Sequence, residues 1–192
     1  MARLREFDTD RAVQQAMELF WERGFEATSV RHLTDRLGVG QGSLYAAFGS
    51  KEGLYRAALE RYRDDLAAAA LAELEAGGEV RSVLRAMLLE RVRIASGGGG
   101  RGCLLVNAAA ERLPGDAATG RFVRDAMAAS TAALTGLLAA AAARGEISTA
   151  REPAALAGFL VTFLNGLLVS GKVTPDERVL AGHVEVALTV LD

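Results

Sequence analysis

Lysine is nearly missing from this sequence: Lys51 and Lys172 are the two in 192 residues, and the formal net charge is −2. That balance excludes a general, non-specific polyanion binder, which depends on a summed positive field. Any contact with nucleic acid must come from a local surface. Cysteine is scarcer still, with Cys103 alone. One thiol excludes a disulfide framework or a Cys-based zinc site within the chain. The two histidines, His32 and His183, stand apart, so neither a metal site nor a cofactor is expected. The opening "MARLREFDTD" lacks the apolar core of a signal peptide. The most apolar segment, Ala154 to Val169, is about 16 residues and contains Thr162, Asn165 and Gly166, short of the ~20 that span a bilayer. These absences predict a cytoplasmic protein without a membrane partner. What is abundant is alanine, glycine, arginine and leucine, with 51% hydrophobic residues. That is enough for one or two small packed domains.

The apolar residues recur at helical spacing, and no strand alternation competes with it. Asp8 or Thr9 caps a helix to about Arg23 on the stripe Val13, Met17, Phe20, and Gly24 stops it. Thr28 or Ser29 caps a second helix with Val30, Leu33 and Leu37 on one face, ended by Gly38. A short helix covers about Gln41 to Phe48. Ser50 caps a long one toward Ala76, and Gly77-Gly78 breaks the chain. Further helices are predicted over Glu79–Ser96, from Cys103 to near Pro114, from Asp116 to about Arg144, from Pro153 to about Ser170 with Gly171 as terminator, and from about Pro175 to Leu191. The fold class is all-α, about nine helices. The expected division is residues 1–50 and 51–192, joined by a long helix over about 51–76.

The stretch "LTDRLGVGQGSLYAAFGSKEGLY" has the parts of a helix-turn-helix. Such a motif needs two short helices at a steep angle, the second exposed along one side. Leu33 and Leu37 anchor the first helix, Gly38-Val39-Gly40 makes the turn, and Leu44 and Phe48 pin the second. Gln41, Gly42, Ser43, Tyr45, Ala46 and Ala47 are left for the outer side or rim. Over residues 21–56, Arg23, Arg31, Arg36, Lys51 and Arg56 face Glu22, Glu26, Asp35 and Glu52, so the sum is 5 − 4 = +1. Binding must therefore lean on amide and hydroxyl groups, with Arg3 and Arg5 in an N-terminal arm.

Leu19-Phe20, Arg23-Gly24-Phe25, Thr28-Ser29-Val30, Gly38-Val39, Gly42-Ser43-Leu44-Tyr45, Phe48 and Ser50-Lys51-Glu52 follow one another over about residues 8–60. This ordered set resembles the N-terminal domain of TetR-family transcriptional repressors. The resemblance implies an all-helical homodimer that binds a palindromic double-stranded DNA operator and releases it on meeting a small-molecule inducer. Carried over by position, Thr28, Ser29 and Lys51 would contact phosphate. Gln41, Gly42, Ser43, Tyr45, Ala46 and Ala47 would lie along the major groove. The sequence departs from the family at Gln41, often Lys, and at Ala46-Ala47, often aromatic, His or Asn. Glutamine can pair with adenine and alanine can touch a thymine methyl.

The resemblance also implies that the C-terminal helices dimerise and bind the inducer. Leu160, Leu164 and Leu167 on one helix, and Leu180, Val184, Ala187 and Leu191 on the last, are the expected interface, with Gly158, Gly166 and Gly171 allowing close approach. The same residues can equally be the chain's own core. Met87, Phe122, Met127, Phe159 and Phe163 are candidate lining for an apolar ligand pocket, and they too can be core. "RGCLLVN" resembles a subgroup of the same family with Gly-Cys-Leu followed by Asn, which includes an electrophile-responsive repressor. Cys103, at a helix start beside Arg101, is a candidate redox or electrophile sensor, or else a small packed residue. "GGGGRG" formally matches a dinucleotide fingerprint, but neither a preceding strand nor a βαβ unit supports it. Two other functions remain open at this level. One is a thiol-dependent enzyme using Cys103, for which no His–Asp partner or second cysteine is apparent. The other is a helical binding protein that has lost DNA.

Overall fold

The computed structural model describes residues 8–75, 77–97 and 100–192; Arg3 and Arg5 lie outside them. Among the described residues there are nine α-helices and no strand. They are α1 (Thr9–Arg23), α2 (Val30–Leu37), α3 (Gln41–Phe48), α4 (Lys51–Glu75), α5 (Val80–Ser96), α6 (Leu104–Arg112), α7 (Ala117–Ala143), α8 (Pro153–Val173) and α9 (Glu177–Leu188), closed by a 3-10 turn over Thr189–Leu191.

Two compact units divide the chain at Asp65 and Leu66, not at residue 50. The reason lies in α4. Its first half contributes Leu54, Tyr55, Ala58, Leu59 and Tyr62 to the core that also holds Ala12, Ala16, Met17, Leu19, Phe20, Phe25, Leu33 and Leu44. Three rings lock that core: Tyr55 meets Phe20 edge-on at 4.9 Å and Phe25 at 4.8 Å between centroids. Trp21 meets Tyr62 in the same way at 5.0 Å. Each such pair adds roughly 0.5–1.5 kcal/mol beyond the area it buries.

The second unit packs α8 against α7 and α5, and α9 against α5 and α8. Its core joins Val80, Leu84, Leu88 and Val92 of α5, Leu138 and Ala141 of α7, Leu156, Leu160 and Leu167 of α8, and Leu180, Val184 and Leu188 of α9. Gly171 does not terminate α8, which continues to Val173. The residue is buried where α8 presses on α5, and a Cβ there would stand 2.7 Å from the Cβ of Ala95. It is a contact glycine inside a helix. The turn between α6 and α7 is held by Asp116, which caps α7 through the N–H groups of Ala118 and Thr119 and takes the Arg112 guanidinium at 3.1 Å. Hydrogen bonds from Thr119, side chain first and then backbone, hold the Asp116 carboxyl well below the usual carboxylate range.

Two expectations change here. Of the seven expected interface residues, Leu160, Leu167, Leu180, Val184, Ala187 and Leu191 are buried within the single chain, and only Leu164 is half-exposed. They are core. The apolar residues left uncovered on the same helices are Phe159, Val169 and Val173 of α8 and Val179 and Val186 of α9, with Val186 70% exposed. The length argument against a membrane span also falls. α8 has 21 residues and α7 has 27, and both are long and apolar enough to cross a bilayer. Each also puts a face of leucine and alanine into the core of its own unit, as helices of a packed domain do.

Candidate nucleic-acid interface

The end of α1 and the turn after it fix the approach to α2. Gly24 ends α1 by donating its N–H to the Phe20 carbonyl. Thr28 then folds inward: its hydroxyl donates to the Gly24 carbonyl at 2.6 Å and its N–H to the Phe25 carbonyl at 3.2 Å. Thr28 is fully buried, so the expected phosphate contact from it is withdrawn. Its hydrogen bonds hold the turn that presents Ser29. Ser29 is exposed and caps α2. Its Oγ accepts from the His32 N–H at 3.1 Å, which leaves the hydroxyl proton available to an anion.

The turn between the two short helices needs a left-handed residue, and Gly38 supplies it at φ +67°. The N–H groups of Gly38 and Val39 both donate to the Thr34 carbonyl. Gly40 then starts α3 with no side-chain cap. The first turn of α3 therefore keeps its N–H groups clear of any side chain, at the positive end of the helix dipole. Leu44 is fully buried and is the one buried residue of α3. Around it Gln41, Gly42, Ser43, Tyr45, Ala46 and Ala47 are all exposed. The helix thus offers one amide, one hydroxyl, one phenol and a strip without side chains beyond Cβ. A strip that flat allows the backbone to come close to a groove floor.

The charges of this unit are mostly spent internally. Arg36 pairs with Glu22 at 3.5 Å and Glu18 at 3.6 Å, Arg31 with Asp35 at 3.8 Å, and Arg56 with Glu60 at 3.0 Å. Arg23 and Lys51 differ. Lys51, the first residue of α4, places Nζ 4.0 Å from the centroid of the Phe25 ring. Arg23 lies against the His32 imidazole. A ring shelters a cation without cancelling its charge. Sequence reasoning missed the His32 arrangement, although Ser29-x-x-His32 has the spacing of a capping box with histidine in the place of Glu or Gln.

In the second unit Cys103 is the N-cap residue of α6 and is 8% exposed. The segment before it is tied down. Asn107 donates its side-chain amide to the Arg101 carbonyl at 2.8 Å and accepts from Lys172 Nζ at 3.0 Å. Gly98 and Gly99 of the preceding loop lie outside the described residues. The five expected pocket residues lie on α5, α7 and α8. Phe159 and Phe163 stack at 6.2 Å, with Phe159 exposed. Met87 opens on a surface groove lined by Ala69, Ala70, Glu73, Glu90 and Arg91. Phe122 and Met127 are both on α7, Phe122 buried and Met127 half-buried.

Residues 12–58 match the family described as bacterial regulatory proteins, tetR family, and residues 80–186 match the tetracyclin repressor-like C-terminal domain. The chain is 35% identical over 195 residues to the transcriptional regulator YezE of Bacillus subtilis (strain 168), with all of both chains covered. It is 38% identical over 172 residues to the transcriptional repressor ComR of Escherichia coli (strain K12), covering 86% of this chain and 80% of that one. Among solved structures, a cysteine-substituted form of the TetR-family regulator CifR, complexed with a 26-base-pair double-strand operator DNA, superposes with a TM-score of 0.88 at 33% identity over the whole of both chains. With matches that span both its helix-turn-helix and its C-terminal helices, the chain belongs to the TetR family of bacterial transcriptional regulators, and α2 and α3 are its DNA-binding motif.

Proposed function

We propose that the protein is a repressor that binds a palindromic operator as a homodimer. In this reading Gln41, Gly42, Ser43, Tyr45, Ala46 and Ala47 lie against the groove, and Ser29 and Lys51 hold phosphates. The observation that carries it is α3: six exposed residues surround one fully buried leucine, and no side chain caps the first turn. A twofold pairing of subunits sets two such helices about 34 Å apart, one helical turn of DNA. The uncovered apolar stripe of α8 and α9 supplies the surface for that pairing, and ComR and CifR, both similar to this chain, are respectively named a repressor and solved on operator DNA.

Fluorescence anisotropy on the intergenic DNA upstream of the protein's own gene tests this reading. Wild type is expected to bind a palindrome in that DNA. The double substitution Tyr45→Ala, Lys51→Ala is expected to weaken binding by about 100-fold, as the loss of one ring-positioned cation and one phenol contact at a few kcal/mol together predicts. Specific binding by neither protein to any palindrome would refute it. Because so few cations are free, the log-log salt slope is expected to be shallower than that of about eight phosphate contacts.

The releasing signal is proposed to be a small apolar ligand or modification of Cys103. Cys103 is 8% exposed, and the segment before it is held by the Asn107 bonds to Arg101 and Lys172, so its reaction calls for local opening that those bonds resist. Asn107→Ala is therefore expected to speed alkylation of Cys103 several-fold, read by mass spectrometry. An alkylating agent is expected to release wild type from DNA and not Cys103→Ser. Equal release in both would leave the apolar ligand as the signal.

A further inference from the structure

The first turn of α2 is closed by a histidine that completes a capping box with Ser29. The backbone N–H of Ser29 lies 3.2 Å from Nδ1 of His32. A backbone N–H only donates, so Nδ1 accepts and the imidazole is neutral, with its proton on Nε2. Nη1 of Arg23 is 3.3 Å from both ring nitrogens. An equidistant position in the ring plane would press Nη1 onto Cε1, so the guanidinium sits over the ring face. Two contacts thus converge on one neutral ring, beside the exposed Ser29 hydroxyl.

The surroundings leave that ring uncompensated. On α1, Glu18 and Glu22 face Arg36. On α2, Arg31 faces Asp35. Glu26 lies in the turn before α2, Lys51 of α4 lies on Phe25, and α3 carries no charged side chain. Among the described residues no carboxylate reaches the imidazole, and Arg23 is the charge upon it.

We propose that neutral His32 is a positioning residue for operator recognition, holding the start of α2 and Arg23 in the arrangement that meets phosphate, and that its protonation lowers the protein's discrimination for its operator. The proposal rests on the reading of Ser29 as a phosphate contact. A proton on Nδ1 would set two donors against each other at Ser29 and two cations face to face at Arg23. Both contacts would be lost. The added charge would meanwhile attract phosphates of any sequence. Total affinity is therefore the wrong readout, and the ratio of operator to non-operator affinity is the right one.

The probe is a duplex selected by the wild-type protein from a random library, compared with the same duplex carrying scrambled half-sites. The ratio is expected to fall about fivefold for wild type, the worth of one capping interaction, between about pH 8 and about pH 5.5. His32→Gln keeps an acceptor at the capping position and should hold the ratio constant between the two. His183→Gln, which alters the other histidine, should keep the wild-type dependence. A constant wild-type ratio, or a His32→Gln ratio that falls as wild type does, would overturn the proposal. The backbone amide shift of Ser29, followed by NMR without DNA, separates the two readings. It should titrate in wild type and not in His32→Gln, and a shift that does not titrate in wild type would overturn the histidine's role. Titration of that shift without any duplex selected would place the failure in the phosphate reading of Ser29, and the operator proposal built on it would fall too.

Discussion

Val186→Glu is expected to leave the single chain folded, to convert the proposed dimer to monomer and to reduce operator affinity by about 100-fold or more. Val186 is 70% exposed on α9, so within one chain the change meets water and costs little. Across a twofold interface it would place an unpaired carboxylate, and its symmetry mate, in apolar surroundings. That costs several kcal/mol per buried charge. A monomer offers one recognition helix to a two-half-site operator and forfeits the second set of contacts. Sedimentation velocity reads the assembly and anisotropy reads the affinity. A variant that sediments like wild type would remove the α9 stripe from the interface.

Leu44→Ala is expected to abolish operator binding while the second unit stays folded. Leu44 is the one residue of α3 that is fully buried, and an eight-residue helix has no stability apart from its packing. Cavity formation at such a site costs about 2–5 kcal/mol. That is a large part of what holds a unit of this size together. Thermal unfolding should show an early transition absent from wild type. Leu44→Met, which conserves volume, should bind within several-fold of wild type. Wild-type affinity in Leu44→Ala would mean that α3 is not the reading helix.

The helix ends were legible because each carries its own chemical signal. Gly24, Gly38, Asp116 and Pro153 stop or start helices by local backbone requirements, and local requirements can be read from a sequence. The exposed face of α3 was legible for a similar reason: with Leu44 and Phe48 assigned inward, the remaining positions have to face outward. What failed depended on neighbours distant in sequence. Gly171 looks like a helix stop until Ala95 of α5 is seen against it. Thr28 looks like a helix cap offered to phosphate, but Gly24 lies one turn back to take its hydroxyl. Periodicity marks apolar stripes on α8 and α9. It does not say which side the chain covers for itself, and the leucines chosen for the interface turned out to be on that side. Residues Val179 and Val186 carried the alternative stripe in the same helix.

The alanine strip of α3 also bears on the entropy of binding. A reading helix of lysine, arginine and glutamine enters the groove with many rotamers and loses them there, at up to about 1.5–2 kcal/mol for each long side chain. Gly42, Ala46 and Ala47 have none to lose. Lys51, already laid on Phe25, and Arg23, already laid on His32, have surrendered part of theirs before DNA arrives. If this is the surface that meets DNA, it is stiff in advance, and discrimination among operators would fall to the fit of a nearly fixed shape against DNA that must conform to it.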